Sequence, residues 1–250
     1  MQNQNKASVG LALATTALIL SACGGDPQPQ PPQLACTLPT VSGEQGGVIC
    51  GTVTPWTAGL TGTVKPEELN VSTDVMADGQ FGLPLPGASE MTTTYNADLF
   101  SVTDYFGGTA NGICTLDAPP TGQTDVRLYG ISKLMTDSGR QLAAFDPSKA
   151  NYTAKLWMFA DRDATFTFKG TCLGQGLIDQ TFVLKKGWNV FDVEYLIPSG
   201  DSVKTVYTPA TQPLDFTTQW RDTGSTMTQL SLKNNMLEPW KNSAAYKNRR

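Results

Sequence analysis

The chain has 250 residues, with 18 Lys and Arg against 22 Asp and Glu and a net charge of −4. So small an acidic excess gives no basis for nucleic-acid binding. Histidine is absent from the sequence, which excludes the usual histidine-containing zinc hydrolases, histidine-ligated copper centres and Ser–His–Asp or Cys–His catalysis. No SxxK, GxSxG or P-loop motif occurs either. We therefore expect a protein with no catalytic residues, no metal and no cofactor.

The first 22 residues have the layout of a secretory signal. Lys6 precedes an apolar run over residues 9–20, and small residues then lead to a cysteine. The run has about a dozen residues, whereas a membrane-spanning helix needs roughly 20. Leu20-Ser21-Ala22-Cys23 resembles the lipobox of bacterial lipoproteins. That resemblance implies that residues 1–22 are removed, that the Cys23 thiol carries diacylglycerol, and that the new amino terminus receives a fatty acyl chain such as palmitate.

The same resemblance implies a location. Gly24, and not aspartate, follows Cys23, which among such lipoproteins favours the outer membrane in a cell that has one. Two or three acyl chains hold a protein in a bilayer essentially permanently. We therefore expect the membrane as one partner, through Cys23, and other envelope proteins as further partners. The alternative is an ordinary cleaved signal with an incidental cysteine.

Composition divides the remaining chain into three parts. Residues 23–33 are rich in proline, which favours an extended polyproline II spacer. Residues 34–235 are expected to form a β domain. Residues 236–250 form a basic tail that includes Lys241 and has no acid after Glu238. We expect this tail to be frayed and solvated; contact with an anionic envelope polymer or with lipid headgroups is the alternative.

The β domain is predicted to be an all-β, antiparallel β-sandwich of about ten short strands. The 24 glycines, 16 prolines and many threonines of the whole chain favour turns and strands over helices. Asp78-Gly79 predicts a hairpin turn between strands over 70–77 and 80–85. Residues 126–135 are apolar enough for a single strand, and residues 101–111 are expected to form a loop.

Four strands in the second half are predicted to follow one another as an antiparallel meander. In residues 164–170 the aromatic residues Phe166 and Phe168 alternate with polar ones, as in a strand with one buried face. Two later strands are expected to extend the meander. The ranges are 152–160, 164–170, 177–185 and 188–197, followed by 203–207 and 214–220.

Four cysteines remain when Cys23 is assigned to lipid. An even number of cysteines in an exported chain indicates two disulfides. Three pairings are possible, and we favour Cys36–Cys50, which brackets a short Gly-rich loop, together with Cys114–Cys172. No CxxC pair is present, so a metal or thiol site is the less favoured interpretation.

Carboxylates and tryptophans are the remaining candidates for a site. Asp161 and Asp163 share one turn, and Asp192 and Glu194 share the polar face of one strand. Calcium would need six to eight oxygens, and a glycosidase would need two facing carboxylates, so turn formation and a solvated strand face are the simpler interpretations. Trp56 lies in a Gly/Thr-rich loop and is the candidate for stacking on a ligand. The other tryptophans are at positions 157, 188, 220 and 240, of which the first two are expected in the core.

Two stretches resemble known families. Gly51-Thr52-Val53, the turn at Asp78-Gly79 and the following "QFGLPLPG" are similar to small carboxypeptidase-regulatory or prealbumin-like β domains, which implies a noncatalytic module. The stretch Lys169 to Cys172, together with Leu184 to Asn189, is similar to uncharacterised lipoproteins of bacteria whose outer membrane lies beneath a surface layer. That resemblance implies a location and no activity.

Three functional hypotheses follow. The first is a lipid-anchored, noncatalytic cell-envelope protein that serves as a structural or accessory subunit of an outer-membrane or surface-layer (S-layer) assembly. The second is a β-sandwich module that binds glycan or a small ligand through exposed aromatic residues. The third is a hydrolase that uses paired carboxylates.

Overall fold

The computed structural model describes residue 36 and residues 46–106, 114–144, 152–172, 175–196, 203–210, 214–223 and 238–249. Sixteen strands lie in these ranges: β1 Val48–Thr54, β2 Gly62–Lys65, β3 Thr73–Val75, β4 Gln80–Pro84, β5 Phe100–Ser101, β6 Cys114–Leu116, β7 Thr121–Gly122, β8 Arg127–Ile131, β9 Lys133–Thr136, β10 Gln141–Ala144, β11 Tyr152–Ala160, β12 Ala164–Cys172, β13 Gly176–Leu184, β14 Gly187–Leu196, β15 Lys204–Pro209 and β16 Gln219–Asp222.

Helices are short in this part of the chain. They are α1 Ala88–Thr93, α2 Val102–Tyr105 and α3 Ala244–Lys247, with 3-10 turns at Asn96–Asp98 and Pro239–Asn242. The prediction of a loop over residues 101–111 is therefore wrong for its first residues, because α2 occupies Val102–Tyr105. There the Ser101 side chain accepts a hydrogen bond from the Asp104 N–H and caps the helix. No helix among the described residues is long and apolar enough to cross a membrane.

The predicted all-β fold is confirmed, and its strands form two large curled sheets. The first sheet has the order β3-β2-β9-β10-β16-β1-β4. Its outer strands β3 and β4 are joined by the predicted turn at Asp78-Gly79, where Gly79 adopts a φ of +87°. The Met76 N–H donates to the Gln80 carbonyl at 2.8 Å across this turn. The sheet thus curls until its two outer strands meet.

The second sheet has the order β5-β8-β11-β14-β15-β13-β12-β6, with β7 also on β12. The predicted meander is wrong, because β11 pairs with β14 along its whole length while the β12–β13 hairpin lies beyond β15. Pairing β11 with β14 matches two long strands, of nine and ten residues, that are mostly buried. The predicted extension of the meander by a last strand is also wrong, since β16 joins the first sheet. It runs parallel to β1, as β13 does to β15, so the sheets are not purely antiparallel.

Two cores share β11 as a common wall. Trp157 and Phe159 face the first core, between the sheets, whereas Leu156 and Met158 face the second core inside the curled second sheet. The alternation predicted for β12 is confirmed, with Phe166 and Phe168 fully buried in the second core. A strand buried on both faces carries an almost continuous apolar run, as β11 does.

The apolar run 126–135 forms two strands and not one. β8 belongs to the second sheet and β9 to the first, with the buried Ser132 between them. Burial is continuous through the junction because both strands contribute to the interior. Hydrophobicity alone therefore gives no sign that the chain passes from one sheet to the other at this residue.

Candidate functional site

Cys23, the predicted lipid-bearing residue, and the Pro-rich spacer lie outside the described residues. The structure therefore bears on what would be held by such an anchor, and not on the anchor. The described residues include the other predicted site residues and a charged cluster that the sequence did not predict.

Four cysteines are paired as the sequence favours. Cys36 is bonded to Cys50 in β1, with a Cα–Cα distance of 5.8 Å. Cys114 in β6 is bonded to Cys172 in β12, with a Cα–Cα distance of 4.1 Å, and the two residues are also register partners in the sheet. The first disulfide fixes the start of the folded domain to β1, and the second fixes a short outer strand to a long one.

Trp56 is half-buried at one end of the curled first sheet. The ring lies close to two glycine backbones: a Cβ on Gly79 would stand 2.9 Å from the Trp56 Cβ, and a Cβ on Gly62 would stand 3.1 Å from its Cη2. The indole Nε1 is buried and has no hydrogen-bond partner in the described part of the chain. Trp56 therefore covers the end of the first core and leaves only part of its side chain exposed.

The other four tryptophans are buried. The expectation for Trp157 and Trp188 is confirmed, and Trp157 stacks on Trp220 with ring centroids 5.5 Å apart. The Trp188 Nε1 donates to the Pro86 carbonyl at 2.9 Å. Trp157, Trp188 and Trp220 stabilise the first core and Trp240 the second, so among the tryptophans only Trp56 offers part of its surface to a ligand.

Three of the four carboxylates singled out from the sequence, Asp161, Asp163 and Asp192, have partners within the chain. The Asp161 carboxylate accepts the Arg127 N–H at 2.9 Å, and the Asp163 carboxylate accepts the Lys186 N–H at 2.8 Å. Asp192 is buried and pairs with Lys155 at 2.8 Å. Across the described ranges, no three Cys, Asp or Glu side chains stand close enough together to hold a metal ion.

The expectation of a frayed carboxy-terminal tail is wrong for residues 238–249. Trp240 is fully buried in the second core and stacks on Tyr105, with ring centroids 5.0 Å apart. Both rings lie over Gly130 of β8, where a Cβ would stand 2.5 Å from the Tyr105 hydroxyl oxygen and 2.6 Å from the Trp240 Cη2. A residue without a side chain is thus needed at position 130 to admit the two rings.

Charged residues hold this segment in place. Glu238 is buried and pairs with Lys133 of β9 at 3.2 Å and with Lys241 at 2.9 Å. Lys241 also contacts the carboxylates of Glu67 and Glu68, which precede β3. We call residues 238–249 the carboxy-terminal clasp, because its charges connect this segment to β9 and to the connection between β2 and β3.

Two tyrosines complete the cluster. The Tyr129 hydroxyl donates to Glu68 at 3.1 Å and the Tyr246 hydroxyl donates to the same carboxylate at 3.0 Å. Burial raises the pKa of Glu68, an effect that Lys241 opposes. Burial by itself would lower the pKa of Lys241, but Glu238, Glu68 and Glu67 outweigh it and raise that pKa above the ordinary lysine value. These groups are arranged to hold the clasp.

The clasp has a weak signal in the sequence. Glu238 and Lys241 are three residues apart and flank Trp240, so one turn of helix presents both charges beside a large apolar ring. The excess of basic residues in 236–250 hides this pattern. The partners on the other side, Glu67 and Lys133, cannot be found without the fold.

Comparisons with protein-family models, with curated proteins and with solved structures find no match to this chain. The two resemblances described above therefore stay predictions, and functional inference depends on the residues of the chain.

Proposed function

We propose that this chain is a lipid-anchored, noncatalytic protein of the cell envelope, a structural or accessory subunit of an outer-membrane or surface-layer assembly. The observation that carries the proposal is the order Leu20-Ser21-Ala22-Cys23 at the end of a short apolar run. An anchor of two or three acyl chains keeps a domain at a membrane without any membrane-spanning segment.

The paired cysteines support export. Disulfides form and persist outside the reducing cytosol, and both bonds join residues of the folded β domain. With these four cysteines paired, Cys23 is the one cysteine of the chain left for lipid.

The charged cluster supports a structural role. Buried carboxylates, lysines and tyrosines are the usual components of an active site. Here Lys241 is engaged by three carboxylates and Glu68 by two hydroxyl groups, all within the chain. The geometry suits attachment of the clasp, and we assign the cluster to stability.

Labelling and extraction test the proposal. Cells expressing the natural protein and its Cys23→Ser variant are given labelled palmitate, and both proteins are followed into the detergent phase. We expect label and detergent partitioning for the natural protein and no label for the variant. Extraction in mild detergent should also recover other envelope proteins with it. An unlabelled natural protein would refute the anchor, and a lone labelled monomer would refute the role as a subunit.

A further inference from the structure

One end of the first sheet carries an uncharged, exposed loop. Residues 55–61 read PWTAGLT and connect β1 to β2. Leu60 is 53 % exposed, and Met76, which follows β3, is 47 % exposed. In the described chain only one other large hydrophobic residue is exposed, Val183, on the outer face of the second sheet. Two of the three such residues thus lie at the same end of the molecule.

Backbone hydrogen bonds hold these residues side by side. The Gly59 N–H donates to the Ala77 carbonyl at 3.1 Å, and the Gly79 N–H donates to the Met76 carbonyl at 2.8 Å. Trp56 lies against Gly79 of the same turn. We call Trp56, Leu60 and Met76 the apolar tip. Backbone hydrogen bonds at the end of the first sheet hold its three residues near one another.

We propose that the apolar tip is a second contact with the lipid surface to which Cys23 is anchored, inserted at the level of the headgroups. This inference rests on the proposed function. Tryptophan and other amphipathic or apolar side chains concentrate at that level of a bilayer, where one part of the side chain is dry and another is wet.

The length of the tether permits the contact. Twelve residues lie between Cys23 and Cys36, which at ~3.1 Å per residue extend to about 40 Å. Cys36 is bonded to Cys50, and four residues later β1 ends at Thr54, where the loop begins. That stretch of strand covers only about 13 Å. An anchored chain therefore has enough reach to bring the tip to the membrane.

The charges on and near the apolar tip indicate which kind of lipid headgroup it would contact. The loop has no charged residue, and the charges near it are the carboxylates of Asp78, in the adjoining turn, and Asp137, whose Oδ1 would stand 3.6 Å from a Cβ on Gly62. A neutral tip beside an acid is repelled by anionic headgroups and tolerated by zwitterionic ones. We therefore commit to a zwitterionic lipid surface as the occupant, with glycans and a second copy of the chain as competing outcomes.

Quenching by brominated lipid tests the contact in the anchored protein. The lipidated protein is reconstituted in phosphatidylcholine vesicles that carry bromine on the acyl chains, and tryptophan emission is measured. We expect quenching of the natural protein, and much less in Trp56→Phe and in the double variant Leu60→Asp, Met76→Asp. Val183→Asp is the matched control, exposed and apolar but on another face, and should quench like the natural protein.

Binding of the unlipidated mature chain to vesicles tests the contact of the apolar tip in the absence of the lipid anchor. Mixed with the same vesicles, the Cys23→Ser chain should bind weakly, and the Leu60→Asp, Met76→Asp pair should lower its partition coefficient by about tenfold or more. Stronger binding to phosphatidylglycerol, equal loss in Val183→Asp, or no quenching of the anchored natural protein would overturn the contact. Tip-dependent binding to soluble peptidoglycan fragments, or tip-dependent dimerisation without lipid, would also overturn it, while palmitate labelling decides the anchor independently.

Discussion

Glu238 accepts contacts from two lysine side chains in a setting that water scarcely reaches. The Lys133 and Glu238 side chains are 7 % and 5 % exposed, and Lys241 is the second cation. A buried charge that loses its partner keeps its desolvation cost and has nothing to offset it, so removal of one partner is far more damaging than the net value of the pair suggests. Exposed ion pairs contribute little by comparison.

We predict that Glu238→Gln lowers the free energy of unfolding by about 3 kcal/mol or more, because the buried Lys133 then faces a neutral amide and Lys241 loses one of its three carboxylates. Asp163→Asn is the matched control, since the Lys185–Asp163 pair is mostly exposed, and it should cost less than about 1 kcal/mol. Urea denaturation of both variants measures the difference. Equal losses would show that Glu238 does not hold the clasp.

Individual residues were predictable where their environment is local. The alternation of Phe166 and Phe168 with polar neighbours, and the turn at Asp78-Gly79, depend on a few adjacent residues, and both are confirmed. Trp240 was not predictable, because its neighbours along the chain are polar and basic while its contacts, Tyr105 and Gly130, come from distant segments.

At the scale of elements, strand positions were more accessible than strand partners. The bounds predicted for β11, residues 152–160, are confirmed, because this is a β-rich segment with turn-forming residues beyond it. The partner of β11 was assigned to the neighbouring β12, whereas the structure pairs it with β14. Sequence order favours nearest neighbours, but β11 and β14 are both long and mostly buried, and they pair over nine residues.

The two disulfides close loops of different length along the sequence. Cys114 and Cys172 are 58 residues apart, and Cys36 and Cys50 are 14 apart. In the chain-entropy model the longer closed loop restricts the unfolded chain more, by about 4 kcal/mol against about 3 kcal/mol. Among the described strands, the outer strand β6 pairs only with β12, so the longer bond also attaches that strand.

We predict that Cys114→Ala, Cys172→Ala destabilises the domain more than Cys36→Ala, Cys50→Ala, by about 1 kcal/mol. Denaturation without reductant compares the two double variants. Reduction of the natural protein provides the control, since it removes both bonds without changing side-chain volume. A larger loss for the shorter loop would indicate that β1 depends on its link to Cys36.

At the scale of the whole molecule, many phenol groups are buried between or within the two cores. Burial raises the pKa of Tyr105, Tyr129 and Tyr207 above the ordinary tyrosine value. Below pH ~10 these phenols are protonated in both folded and unfolded chains. Above it the unfolded chain releases protons that the folded chain retains, so stability is lost as the pH rises.

We predict that the free energy of unfolding falls above pH ~10, by up to about 1.4 kcal/mol per pH unit for each such phenol. Tyr105→Phe should reduce this slope by one phenol. Its hydroxyl lacks a hydrogen-bond partner among the described residues, so the variant should remain within about 1 kcal/mol of the natural protein at pH 7. Urea titrations from pH 7 to pH 11 measure both quantities; a large loss at pH 7 would reveal an unseen partner of Tyr105.

The molecule as a whole joins a two-core β domain to a predicted anchor. Disulfides, the clasp and the shared strand β11 give the domain several independent stabilising features. The apolar tip adds a surface that such an anchor could use.

The most direct test of lipidation at Cys23 is the intact mass of the mature protein, purified in detergent from its own membranes. We predict a chain that begins at Cys23 and carries the added mass of a diacylglycerol and a fatty acyl group. A chain of unmodified mass, or one that begins at any other residue, would contradict a lipid anchor at Cys23.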